Sequence, residues 1–191
     1  MPIILAAGPS RHLPFPKALA VFGCKTALDI AVANCAGLAR PIVVLGSDAK
    51  RIRPAAPENA KVVMNPRWRE GQLSSLLAAL RHVPVRSAFL LYPVDHPLLQ
   101  KKTIQQLVKA FRARKASETI IMPRHNGSFG HPVILAADLR REIMTAATAR
   151  EVVYRVPERI KVFNARTSAI YDDFDTPESY RACVRKFQAR K

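Results

Sequence analysis

Cysteine is scarce in this chain: Cys24, Cys35 and Cys183 are the only three in 191 residues, odd in number and far apart. That excludes a disulfide-stapled scaffold and shows no metal-ligand spacing, so the reduced thiols of a cytosolic protein are expected. Long apolar runs are missing as well. None approaches the roughly 18 residues needed to cross a bilayer, so no membrane span is expected. The start carries neither a charged n-region nor a cleavage site, so no secretory signal is expected, and the cytoplasm is the expected location. Aromatics are only 7% of residues and none forms a stacking motif among the basic positions, which leaves no nucleic-acid-binding signature. Acids are few: 14 Asp and Glu face 31 Lys and Arg, for a formal charge of +17. Such a surface attracts polyanions in general, and a solvated basic surface that also draws a nucleoside triphosphate is preferred to a dedicated nucleic-acid face.

What is present points to a packed α/β protein. Apolar residues make up 49% of the chain with no low-complexity tract, and the length suits one domain over residues 1–191. Compact apolar runs at 42–45, 61–64, 87–92 and 119–122 read as strands buried on both faces, and 132–135 as a further strand after an Asn126-Gly127 turn. Between them, Leu73, Leu76, Leu77 and Leu80 fall at helical spacing, as do Ile104, Leu107, Val108 and Phe111. Further helices are expected over 27–35, 137–147 and 149–154. A last helix opens with Thr176 as N-cap and Pro177 at its first position, with Tyr180, Cys183, Val184 and Phe187 facing inward. Strand–helix alternation implies a three-layer α/β/α, Rossmann-like architecture with a mostly parallel sheet, whose ligands sit beyond the carboxyl ends of the strands.

Two strand ends carry the chemistry. The first run, Pro2 to Ala7, breaks at Gly8-Pro9-Ser10-Arg11-His12 and closes on Pro16-Lys17. Gly8 admits a close backbone approach to a ligand, Ser10 offers a hydroxyl, and Lys17 offers a point charge suited to phosphate. The second is Tyr92-Pro93-Val94-Asp95-His96-Pro97-Leu98, where Asp95 follows a buried strand directly. A carboxylate there suits Mg²⁺, which prefers one or two carboxylates plus substrate phosphate oxygens. Alone, the same Asp95 is equally well explained as the cap of a helix starting near Leu99; paired with the Gly8–Lys17 loop, the metal reading is preferred. His96 and His131 each precede a proline at the same end of the sheet. Hydrogen bonding to backbone is the ordinary use of such a histidine, and contact with an acceptor or a transition metal is the alternative.

At these residues the chain resembles the small nucleotidyltransferases, which include molybdenum cofactor cytidylyltransferases and related guanylyltransferases. Leu5-Ala6-Ala7-Gly8 with Ser10 and Lys17 is similar to their opening signature. Val43-Val44-Leu45-Gly46, Asn65 to Gly71, Ser74-Ser75-Leu76, Val94 to Leu98, Gly130-His131-Pro132-Val133 and Asp173 to Glu178 follow in the family's order. The resemblance implies a nucleotidyltransferase fold and Mg²⁺-dependent transfer of a nucleotidyl group to a phosphorylated acceptor, with release of pyrophosphate. It implies that Leu5, Ala6, Ala7, Gly8 and Ser10 hold base and phosphates, and that Lys17 lies on the α- and β-phosphates. It also implies that Asn65, Gly71 and Ser75 shape the base and ribose pocket, and that Asp95 binds the metal. Asp173 and Asp175 match a second polar pair that contacts metal or acceptor, with capping of the last helix as the equal alternative.

The family's loop carries Arg four residues and Gly six residues after Gly8. Here His12 and Pro14 stand there, Arg11 lies one place early, and Ser179 replaces an acid in the final motif. Arg11 is assigned the missing arginine's role. Ala7, where the guanylyl branch has Gly, narrows the floor under a purine, so CTP is favoured over GTP. The implied acceptor is a molybdopterin-type cofactor, with a sugar phosphate as alternative, and the implied partner beyond substrates is a molybdoenzyme. A non-catalytic nucleotide-binding protein of the same fold is the rival reading, on the strength of the altered loop.

Overall fold

The computed structural model describes residues 1–190. In chain order these form β1 (Pro2–Ala6), the hairpin β2 (Val21–Phe22) and β3 (Lys25–Thr26), α1 (Ala27–Asn34), β4 (Ile42–Leu45), α2 (Ala49–Ile52) and β5 (Lys61–Met64). There follow α3 (Gln72–Leu80), β6 (Phe89–Pro93), α4 (Lys101–Arg112), β7 (Ile120–His125), β8 (Ser128–Phe129) and β9 (Val133–Leu135). The last are α5 (Arg140–Thr145), α6 (Ala149–Tyr154), β10 (Ile160–Asn164) and α7 (Pro177–Gln188).

The main sheet runs β10-β7-β9-β6-β1-β4-β5, with β8 paired to β7. Neighbours pair in parallel except β9, which lies antiparallel between β6 and β7, and β8. Alternate residues of each central strand serve opposite layers. Ile4, Val43 and Tyr92 pack with α1, α4 and α7, while Ile3, Val44 and Leu91 pack with α3, α5 and α6. This is the three-layer α/β arrangement the residue pattern implies.

Local chemistry explains some helix starts. Thr26 Oγ1 accepts the Asp29 N–H at 3.1 Å, and the Asp29 carboxylate accepts the Thr26 N–H at 2.8 Å, a complete capping box. Thr176 and Ser179 make the same reciprocal pair at α7, so a hydroxyl replaces the acid usual there. The 137–147 segment is shorter than expected: a 3₁₀ turn over Ala137–Leu139 leads into α5.

Several strands differ from the sequence-based expectation. β5 is an edge strand rather than a doubly buried one, with Lys61 and Met64 exposed. β6 starts at Phe89, because Ser87 N–H is taken by the Pro84 carbonyl in a turn. β7 continues past Pro123, which lacks an N–H but whose carbonyl accepts the Gly130 N–H at 3.0 Å. β10 was not anticipated; its residues are half-buried, so no clean alternation marks it.

The few aromatics are concentrated. Phe22 meets Phe174, Tyr180 and Phe187 at centroid distances of 5.5, 5.5 and 5.7 Å, and Phe15 meets Tyr180 at 5.2 Å. This cluster joins the loop after β1 to the segment before α7, although they lie at opposite ends of the chain. Phe22→Ala is expected to cost about 3–5 kcal/mol of stability, measured by urea unfolding. A cost under about 1 kcal/mol would show that the cluster does not hold these segments together.

Candidate active site

The chain leaves β1, crosses to β4 and β5 on one side, then returns to β6 on the other, so β1 and β6 flank a topological switch point. In open α/β sheets ligands bind beyond the strand ends at that position. The loops after β1 and β6 supply Lys17 and Asp95, which face each other there. Lys17 Nζ lies 2.9 Å from Asp95 Oδ2 and also bonds the Asp175 carboxylate. Burial works against the Lys17 ammonium, yet the two carboxylates outweigh it and raise its pKa. Burial pushes the Asp95 carboxyl up, but the His96 hydrogen bond and the Lys17 charge hold it well below the usual carboxylate range.

The loop itself is braced. Ser10 Oγ accepts the Lys17 backbone N–H at 2.8 Å, Leu13 is buried, and Phe15 rests on Tyr180. The Ser10 oxygen therefore closes the loop and leaves its hydroxyl proton as the group free for a ligand. Gly8 is exposed, and a side chain there would meet no protein atom within 4 Å, so the fold does not require this glycine. Gly46 is the reverse case: an added Cβ would stand 2.5 Å from the Ala7 carbonyl oxygen and 2.6 Å from Trp68 Cβ.

Two clefts meet at Asp95. One, of about 480 Å³, is lined by Leu5, Ala7, Gly8, Arg11, Gly71 and Ser75 together with Trp68. Ala6, Ser10 and Lys17 border a smaller recess of about 80 Å³ beside Gly8. The other large cleft, also about 480 Å³, holds His96, His131 and Asp173 on a polar wall above an apolar floor that includes Met122, Val133 and Val153. Asp95, Pro93 and Gln72 line both.

The structure brings most of the sequence-identified residues together and corrects some roles. Asp95 is not a helix cap: α4 starts at Lys101 with Gln100 as N-cap, and no side chain caps it. Asp175 and Asp173 do not cap α7 either, since Thr176 and Ser179 do. Asn65 stands behind the cleft wall rather than on it. It is buried, donating to Ser74 Oγ and Ser75 Oγ at 2.9 and 3.0 Å and accepting the Arg67 N–H, so it shapes the pocket through Ser75. Arg11 lies on the cleft, whereas His12 is exposed and is not among the lining residues.

Neither histidine settles into the ordinary backbone-bonded use. His96 Nδ1 lies 3.1 Å from Asp95 Oδ1, and the His131 ring meets the His96 ring edge-on at 5.3 Å. His131 Nδ1 is buried without a partner, and burial lowers its pKa to about 4, so the ring is neutral at physiological pH. Asp173 is raised by burial and by the charges of Asp95 and Asp175, against the pull of His96. Residues not singled out from the sequence complete the second cleft: Gln72, and at its mouth Arg150, Tyr154 and Tyr171. Gln72, next to Gly71 at the first position of α3, had a local signal; Arg150 and Tyr154 had only their i, i+4 spacing on a short helix.

A lysine and a carboxylate poised across a switch point, with room for one reactant on each side, suit an enzyme that aligns phosphates rather than one built on an acid–base triad. That is the chemistry of a nucleotidyltransferase. The chain belongs to the family described as the MobA-like NTP transferase domain, which matches residues 2–160. It is similar to the molybdenum cofactor cytidylyltransferase of Escherichia coli, with 27% identity over 97% of this chain and 95% of that protein. It is also similar to the nicotine blue oxidoreductase of Paenarthrobacter nicotinovorans, at 26% identity over 92% of each chain. A solved structure of Rv0371c from Mycobacterium tuberculosis in complex with manganese has a TM-score of 0.74 at 26% identity, covering 96% of both chains.

Proposed function

We propose that this enzyme transfers a cytidylyl group from CTP to a molybdopterin-type cofactor phosphate in the cytoplasm and releases pyrophosphate, and that its product serves a molybdoenzyme. The observation that carries the reading is the position of Asp95 on the wall common to two clefts of about 480 Å³ each. CTP occupies the cleft of Leu5, Ala7, Gly8, Gly71 and Ser75, with its phosphates on the Gly8–Lys17 loop. The acceptor occupies the other cleft, where an apolar floor with Tyr154 and Tyr171 at the mouth suits a planar ring better than a hydroxyl-rich sugar. His96, His131, Asp173 and Asp175 lie along its approach to the α-phosphorus.

An oxygen of the acceptor phosphate attacks the α-phosphorus of CTP, and the bond to the β-phosphate oxygen breaks with its electrons leaving on pyrophosphate. A phosphate monoester is already ionised near neutral pH, so no side chain has to remove a proton. Lys17, freed from Asp175, neutralises charge on the triphosphate, and Arg11 adds a second cation at the cleft rim.

The donors present fit Mg²⁺. Asp95 and Asp173 offer hard carboxylate oxygens on one cleft wall, and no group of three or more His, Cys, Asp or Glu that could hold a metal occurs among the described residues. That suits a cation whose remaining ligands are phosphates and water. When bound there, Mg²⁺ would neutralise phosphate charge.

The test is pyrophosphate release from CTP and from GTP with Mg²⁺ and the molybdopterin acceptor. Release is expected with CTP in excess of GTP; equal rates would remove the argument from Ala7, and no release with any nucleotide would favour the non-catalytic alternative. Lys17→Ala is expected to weaken CTP binding by about 10–100-fold, as measured by calorimetry, from the loss of a charged hydrogen bond of about 1.5–3 kcal/mol. If Lys17→Ala and Arg11→Ala both bind CTP like the parent, the phosphate-loop assignment fails.

A further inference from the structure

Asp95 is held by two donors of opposite character. Lys17 reaches Oδ2 on a flexible stem and is shared with Asp175, so it is free to move to an incoming phosphate. His96 bonds Oδ1 at 3.1 Å from a residue only 5% exposed, and it has nowhere to go. Its carbonyl accepts the hydroxyl of the fully buried Tyr92 at 3.3 Å, and that hydroxyl is in turn met by the Asn34 amide at 3.2 Å. Its ring is backed edge-on by His131, whose backbone N–H donates to the Ile170 carbonyl at 2.6 Å. Gly130 packs so closely on that same Ile170 backbone that no side chain fits, which locks the backing segment in place.

We propose that His96 is a positioning residue: its Nδ1–H clamps Oδ1 and keeps Oδ2 of Asp95 aimed into the cleft after Lys17 leaves, presetting that oxygen as a ligand for a hard divalent cation. The inference rests on the nucleotidyltransferase reading of the site and adds to it the reason a histidine follows Asp95. A carboxylate with only Lys17 as partner would be free to rotate once the lysine moved, and the cation would lose a preoriented ligand. Outer partners of this kind change metal affinity about 10–100-fold.

The test is Mn²⁺ binding followed by electron paramagnetic resonance, in the presence of CTP and without acceptor, so that no turnover occurs. His96→Leu is expected to weaken Mn²⁺ binding about 10–100-fold while metal-free CTP binding is unchanged. His96→Asn, whose amide nitrogen falls close to the Nδ1 position, is expected to restore most of the affinity; His96→Gln, one carbon longer, is not. Parent-like Mn²⁺ affinity in His96→Leu would overturn the proposal. So would a His96→Asn variant as weak as His96→Leu with CTP binding intact, since packing rather than the hydrogen bond would then be responsible. Asp95→Asn separates this from the site assignment. If it abolishes Mn²⁺ binding while His96→Leu does not, only the positioning role falls; if it too binds like the parent, the metal assignment of Asp95 falls with it.

Discussion

Asp95→Ala is expected to lower pyrophosphate release by about a thousandfold while CTP binding in the absence of metal is retained. Asp95 follows β6 at the point where both clefts meet, and its carboxylate stays ionised because His96 and Lys17 offset its burial. Removing it takes away the one charged group, among the described residues, that lines both clefts. Lys17 keeps Asp175 as a partner, so the loop after β1 is not left with a buried unpaired cation. The folded state should therefore survive, and circular dichroism with thermal unfolding checks this directly. A variant that keeps a tenth or more of the parent rate would show that Asp95 is not catalytic and would move the role to Asp173.

Gly46→Ala and Gly8→Ala are expected to fail in opposite ways. At Gly46 the new methyl would press on the Ala7 carbonyl and on Trp68, both part of the cleft wall and neither the far end of a flexible side chain. Overpacking of that kind costs about 1–3 kcal/mol, read as a lower urea midpoint, and it pushes the loop after β1 out of place. At Gly8 the methyl meets nothing, and the backbone is not in the left-handed region, so stability should hold or rise by about 0.4–1 kcal/mol. CTP affinity should nonetheless fall about tenfold, or 1.4 kcal/mol, because the methyl would occupy the space in which the proposed function seats phosphate. Parent-like CTP binding by Gly8→Ala would show that no phosphate approaches that backbone.

The altered signature loop is consistent with this division. Pro9, Pro14 and Pro16 remove backbone donors, while Ser10, Leu13 and Phe15 anchor the loop from within and against Tyr180. Its shape depends little on the missing glycine, and Arg11 already lies at the cleft. The serine in the last motif is equally well accommodated, since Ser179 completes the capping box of α7 with its hydroxyl.

Much was legible from residues alone because periodicity, turns and caps act over a few positions. The abrupt end of β1 at Gly8, the position of Asp95 just after β6, the Asn126-Gly127 turn and the Thr176-Pro177 helix start are local in this sense. Order along the chain also sufficed to point to a mostly parallel sheet, and with it to the strand ends as the place for ligands. What the residues alone could not decide depends on contacts between distant segments. The Lys17–Asp95 and Lys17–Asp175 bonds span 78 and 158 positions; the first follows from the pairing of β1 with β6, the second from the aromatic cluster around Phe22 that docks α7 beside the first loop. The antiparallel insertion of β9 and the half-buried edge strand β10 answer to sheet neighbours, not to their own pattern. That the fold requires Gly46 and does not require Gly8 is equally a matter of what packs against each. By itself the sequence determined that the Gly8–Lys17 loop and a strand-end carboxylate, Asp95, follow directly on buried strands. Only the tertiary structure decided that they share one site with a second cleft behind Asp95, because burial and charge pairing are set by what the folded chain brings together.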